Sequence, residues 1–172
     1  MEAIHLDRLW APWRAKYIKE VADKSPQECF LCESLKLENP EDAYVLKITN
    51  HSFAILNIYP YNTGHVMVVP KKHTGNFEDL TEEEHADLGI LMADCIKAIK
   101  KVYLPHGLNI GMNIGRAAGA GLETHLHYHI VPRWRGDTNF MPVIAETKVV
   151  SESLEDTFKK LKKALESLDD ER

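Results

Sequence analysis

The run His125-Leu-His-Tyr-His-Ile-Val131 alternates imidazole and apolar side chains without a break. Strict alternation predicts a strand over residues 125–131 with one face in a core. On that reading Leu126, Tyr128 and Ile130 turn inward, while His125, His127 and His129 share the other face, about 7 Å between successive side chains. Imidazole titrates near pH 6.5, so at neutral pH it serves as nucleophile, hydrogen-bond donor or proton carrier. Three on one apolar strand argue for chemistry over a set of solvated histidines; a simple metal cluster is the competing use. Directly upstream, Asn113-Ile-Gly-Arg-Ala-Ala-Gly-Ala-Gly-Leu122 is glycine-rich. Glycines let the backbone approach a ligand and turn successive amides toward an anion. Loop and strand together suit phosphate chemistry.

The rest of the chain supplies a frame for that strand. Short aliphatic runs over 44–48, 52–58 and 64–70, separated by Asn50-His51 and by Pro60-Tyr61-Asn62-Thr63-Gly64, predict antiparallel strands. Thr81-Glu-Glu-Glu84 has the form of a capping box, and Leu88, Leu91, Met92, Cys95, Ile99 and Val102 follow at helical spacing. Residues 107–114 resume strand character, and a polar loop is expected from Pro132 to Asn139. Leu154, Phe158, Leu161, Leu165 and Leu168 predict a terminal amphipathic helix, its Lys159, Lys160, Lys162 and Lys163 on a solvated side. Apolar residues at 6, 9, 10, 13 and 17 predict a short N-terminal helix.

A chain of 172 residues suits one domain, and at that size roughly 70% of the unfolded surface can be hidden. We divide it into an N-terminal extension (1–43), a core (44–140) and a C-terminal segment with its helix (141–172). The net charge of -5 offers no footprint for a nucleic-acid backbone. The apolar runs are too short to span a bilayer, and residues 1–20 lack the pattern of a secretory signal. The expectation is a cytoplasmic protein without nucleic-acid or membrane partners.

Cys29 and Cys32 form a C-x-x-C pair that fits a redox couple or half of a zinc site. No thioredoxin-like βαβ pattern surrounds them, which favours metal. Cys95 falls on the core face of the long helix and reads as packing. His5, His51, His85 and His106 fall in turns or on a polar helix side and read as solvated.

His-x-His-x-His followed by apolar residues resembles the motif of the histidine-triad superfamily of nucleotide hydrolases and transferases. Phe53-Ala-Ile-Leu-Asn57 and Gly64-His-Val-Met-Val-Val-Pro-Lys-Lys-His73 resemble that family's central strands. Arg8-Leu-Trp-Ala-Pro-Trp-Arg14 and Val131-Pro-Arg-Trp-Arg-Gly-Asp-Thr-Asn-Phe140 are similar to a longer branch that includes diadenosine tetraphosphate phosphorylases. The resemblance implies an α+β fold: a five-stranded antiparallel sheet with one long helix and a C-terminal helix, paired as a homodimer. It makes His127 the nucleophile on a nucleotide's α-phosphorus, with His129 donating to phosphate oxygens and His65 across the site. It places Asn57 at the ribose, Asn113 and the backbone of Gly119, Ala120 and Gly121 at the phosphates, and Trp134 near the nucleotide or a partner subunit. It further implies a structural Zn2+ on Cys29, Cys32, His73 and His125, a closed tetrahedral set.

The implied substrate is a nucleotide or dinucleoside polyphosphate, and the implied reaction is phosphorolysis of diadenosine tetraphosphate to ADP and ATP. The same intermediate would serve a hydrolase of nucleoside phosphoramidates or adenylylated lysine. A module that only binds nucleotide is the third reading. Many relatives carry Ser, Thr or Gln shortly before the triad, whereas this loop reads Gly119-Ala-Gly-Leu122; that departure leaves the second acceptor open.

Overall fold

The computed structural model describes residues 29–137 and 151–170. The helix expected over residues 6–17 lies outside them. Strands β1 (Val45–Ile48), β2 (Ser52–Leu56), β3 (Val66–Pro70), β4 (Gly107–Met112) and β5 (Tyr128–Arg133) form one antiparallel sheet. Its order is β1-β2-β3-β5-β4. Helices α1 (Phe30–Lys36), α2 (Glu82–Tyr103) and α3 (Leu154–Asp170) complete the described elements.

Both faces of the sheet's middle are covered, which is why β2 and β3 read as continuous apolar runs. Ala54, Leu56, Val66, Val68 and Ile130 pack against Leu88, Leu91, Cys95 and Ile99 of α2 and Leu161 and Leu165 of α3. On the other face Leu31 of α1 meets Val45, Phe53, Ile55, Met67 and Val69. Each such fully buried aliphatic contributes about 1.5–3 kcal/mol over its exposed state. The capping box at the start of α2 is reciprocal: Glu84 N–H donates to Thr81 Oγ1 (3.2 Å) and Thr81 N–H to Glu84 Oε2 (2.8 Å). Leu104, in the left-handed region at φ 45°, ends the helix before Pro105.

Several strand limits differ from the sequence expectation. Strand β1 starts at Val45 because Tyr44 has φ 61°. Strand β2 stops at Leu56 because the Asn57 side chain accepts the Tyr59 N–H (2.9 Å) and turns the chain. Strand β4 ends at Met112, and β5 covers Tyr128–Arg133 instead of residues 125–131. His125 and His127 are extended but lie before the ladder; Leu126 N–H is instead taken by the Thr74 carbonyl at 2.8 Å. Pro132, expected to open a loop, sits in the strand. It lies past the end of the β3 pairing, which covers only Tyr128 to Ile130, so its missing N–H costs nothing on that side.

Candidate active site and metal centre

The alternation of the histidine run survives even where the ladder does not. Leu126 and Ile130 enter the core with Tyr128 packed against it, and His125, His127 and His129 take the other side. His125 and His127 are buried and His129 is half-buried. The rings of His127 and His129 stand 4.9 Å apart in a T-shaped arrangement, so they touch. Strand β3 pairs Met67 with His129 and brings His65, just before its first residue, beside the triad. Nε2 of His65 lies 2.9 Å from Nδ1 of His129.

Hydrogen bonds assign the protons of His127. Its Nδ1 lies 2.9 Å from the His125 carbonyl oxygen. A carbonyl only accepts, so Nδ1 carries the hydrogen and Nε2 of a neutral ring carries the lone pair. Burial holds the His127 pKa below the ordinary imidazole value, opposed in part by that same bond. The ring is therefore neutral at pH 7, the state a nucleophilic imidazole requires.

The four predicted metal ligands converge. The ligating atoms of Cys29, Cys32, His73 and His125 all lie within 4.8 Å of one another. Cys29 Sγ is 3.2 Å and Cys32 Sγ 3.5 Å from His125 Nδ1, and Cys32 Sγ is 3.3 Å from His73 Nδ1. Tetrahedral zinc with bonds of about 2.0–2.3 Å spaces its ligands at about 3.5 Å, so the donor set fits that ion. Without a cation, burial and then the neighbouring Cys29 thiol push the Cys32 thiol up to about 11. A coordinated dication reverses that preference and takes both sulfurs as thiolates. Both cysteines come from the start of α1, and both histidines from the segments that leave β3 and enter β5.

The expected nucleotide-binding residues are distributed less simply. Asn57 N–H donates to the His65 carbonyl (3.1 Å), which puts Asn57 beside the histidines while its side-chain oxygen holds Tyr59 N–H. Asn113 Nδ2 reaches the Gly119 carbonyl across the glycine loop at 3.5 Å. The amides of Gly119 and Ala120 donate inside that loop, to Arg116 and Gly115 carbonyls at 2.9 and 3.3 Å; no such bond involves Gly121 among the described residues. Trp134 is half-buried, its N–H donating to Asp137 Oδ2 at 3.1 Å.

Two groups escaped the reading of the sequence. The Tyr61 ring stacks on His129 with centroids 5.7 Å apart and lies tilted by 43° against His65 at 4.6 Å. An aromatic four residues before a glycine-flanked histidine was its only signal. Asp137 takes a forked contact from Arg133 (2.6 and 2.9 Å) and a bond from Asn62 Nδ2 (2.8 Å). The Arg133 fork holds its carboxyl far below the usual range, helped by Trp134 N–H and Asn62. An i,i+4 Arg–Asp spacing signals such a pair only once the turn after β5 is known.

A five-stranded antiparallel sheet that presents alternating imidazoles beside a Cys2His2 cluster is a histidine-triad architecture. The chain belongs to the HIT domain family, whose match covers residues 38–136. That span holds His65, His73 and the triad; Cys29 and Cys32 precede it. The AP-4-A phosphorylase of Mycobacterium tuberculosis is 42% identical over 159 residues, 88% of this chain and 80% of that protein. A zinc-bound histidine triad family protein of Mycobacterium smegmatis superposes with a TM-score of 0.68 at 27% identity, covering 86% of this chain and 100% of the other. A histidine triad nucleotide-binding protein of Sulfolobus tokodaii does so at 0.66 and 31%, covering 81% and 93%.

Proposed function

We propose that the chain is a nucleotidyltransferase that phosphorolyses diadenosine tetraphosphate to ADP and ATP through a nucleotidyl-His127 intermediate. The observation that carries this is the 42% identity to an AP-4-A phosphorylase across most of both chains. In the first step Nε2 of His127 attacks the α-phosphorus, a P–N bond forms, the P–O bond to the leaving chain breaks, and ATP departs. In the second, an oxygen of inorganic phosphate attacks the same phosphorus, the P–N bond breaks, and ADP leaves. Splitting the displacement this way lowers each barrier. His129 meets the developing charge, backed by His65 across the site, with Asn113 and the backbone of Gly119, Ala120 and Gly121 shaping the phosphate loop. Asn57 holds the ribose and Trp134 flanks the nucleotide.

Zn2+ on Cys29, Cys32, His73 and His125 has a structural role in this reading, because four protein ligands leave no open position for water. It ties α1 to the segment that carries His127. Two copies pair as a homodimer; support comes from β4, an edge strand with Ile110 exposed. No described helix is long and apolar enough to cross a membrane. Thiols held as metal ligands suit the reducing cytoplasm, where we place the protein.

Water is the competing acceptor. It is favoured by one observation: the Gly119 and Ala120 amides are already used within their loop. Product analysis with and without inorganic phosphate separates the two. Phosphate-dependent ADP is expected; AMP formed at the same rate without phosphate would overturn phosphorolysis. His127→Ala is expected to lose at least about 10³-fold in kcat, the order of a lost catalytic group.

A further inference from the structure

A file of hydrogen bonds runs from the backbone of residues 60–64 into the triad. Tyr61 N–H donates to Nδ1 of His65 at 3.1 Å, and Nε2 of His65 meets Nδ1 of His129 at 2.9 Å. A backbone amide can only donate, so Nδ1 of His65 accepts and the proton of the neutral ring sits on Nε2. That proton makes Nδ1 of His129 an acceptor in turn. The proton of neutral His129 is thereby placed on its Nε2.

The loop that delivers this amide is held from several sides. Asn62 Nδ2 donates to the Pro132 carbonyl (3.0 Å) and to Asp137 Oδ2 (2.8 Å), and Arg133 grips the same carboxylate. Gly64 turns at φ +77°, where a Cβ would meet the Tyr103 ring at 3.0 Å and Pro132 at 3.3 Å. The Tyr61 ring lies against both imidazoles, within 29° of parallel to His129.

We infer that Tyr61 is a positioning residue whose backbone N–H, anchored through Asn62 and Asp137, sets the proton order of the His65–His129 pair. The opposite order would put a lone pair on His129 Nε2, where a donor is needed to meet phosphate oxygen. Only that consequence for catalysis rests on the proposed reaction; the proton order itself does not.

The test is a two-bond proton–nitrogen spectrum of the 15N-labelled, zinc-loaded protein at neutral pH, which separates bare from protonated imidazole nitrogens. Nδ1 of both His65 and His129 is expected bare and Nε2 protonated; a neutral His129 protonated on Nδ1 overturns the inference. Tyr61→Pro deletes the N–H and is expected to move His65 toward a mixture of tautomers and lower kcat more than it changes KM. Tyr61→Ala keeps the amide and should keep the tautomers; a switch there would move the role to the ring and refute the assignment. Where Tyr61→Pro does not fold, hydrogen exchange in the wild type decides: slow exchange of the Tyr61 amide supports the bond, and exchange at an open-loop rate refutes it. A wild type with the expected proton order but no phosphorolysis supports this inference while defeating the proposed reaction.

Discussion

Nε2 of His125 donates to the Pro70 carbonyl oxygen at 2.8 Å, and that bond decides which nitrogen faces the cysteines. A carbonyl cannot donate, so the lone pair of neutral His125 lies on Nδ1, the atom beside both sulfurs. The ring is thus set for a cation before one arrives. Metal analysis of purified protein should find about one zinc per chain, and the Cys29→Ser, Cys32→Ser double variant should lose it. Binding linkage alone predicts a stability gain of about 2.7 kcal/mol at free zinc a hundredfold above its Kd. Chelation should lower the denaturation midpoint accordingly; zinc retained in full by the double variant would refute the ligand set.

Gly75 allows the loop after His73 to lie against the segment leading into the triad. A Cβ there would fall well inside contact distance of the Glu123 carbonyl oxygen, a backbone atom that no rotamer change can move. Thr74 next to it accepts Leu126 N–H. Gly75→Ala should therefore cost about 1–3 kcal/mol, as overpacking does. It should also reduce turnover, because the backbone it displaces continues into His125 and His127. Gly89, whose added Cβ would meet nothing within 4 Å, is the control expected to gain slightly from Ala in mid-helix. Urea midpoints of the two variants check both statements.

The sequence displayed the site's histidines better than it displayed their surroundings. Period-two alternation is a local property, so the separation of His125, His127 and His129 from Leu126, Tyr128 and Ile130 was readable even though regular pairing begins only at Tyr128. The long helix was readable for the same reason, since capping box and apolar stripe are both local signals. Cys29, Cys32, His73 and His125 were brought together by family resemblance; their separations of up to 96 positions carry no periodicity. Tyr61 went unnoticed because its part is played by a backbone amide and a ring face, and neither leaves a pattern in residue type. The engaged amides of Gly119 and Ala120 show the converse. Glycine content announces freedom of the backbone but not where its N–H groups point.

Asp94 is a polar group on the core side of α2, 2% exposed, with Lys47 Nζ at 3.6 Å and Lys97 Nζ at 3.9 Å. Lys47 on β1 also reaches Asp169 near the end of α3, so one lysine links three elements. Removing the buried carboxylate leaves Lys47 with only its exposed partner. Asp94→Ala should cost about 3 kcal/mol, the low end for breaking a buried pair, because Asp169 remains. Asp169→Ala, on an exposed carboxylate, should cost at most about 1 kcal/mol. Equal losses in the two variants, read from denaturant midpoints, would contradict this ranking.

The Arg133–Asp137 fork gives the turn after β5 a definite pH dependence. Arg133 first, then Trp134 N–H and Asn62, favour the ionised carboxylate and lower its folded pKa, while the unfolded chain keeps an ordinary value near 3.9. A group depressed on folding contributes stability that is complete above its unfolded pKa and disappears as pH falls toward the folded one. The stability difference between wild type and Asp137→Asn should therefore be constant from about pH 5 upward and shrink steadily below about pH 4. Comparing the pair at each pH cancels the other carboxylates and the acid release of metal. Because Asp137 also anchors Asn62, the variant should loosen the 60–64 loop and speed exchange of the Tyr61 amide at neutral pH, where the global fold is intact. A difference that grows toward acid, or a Tyr61 amide unaffected by the substitution, would show that the carboxylate does not hold this corner.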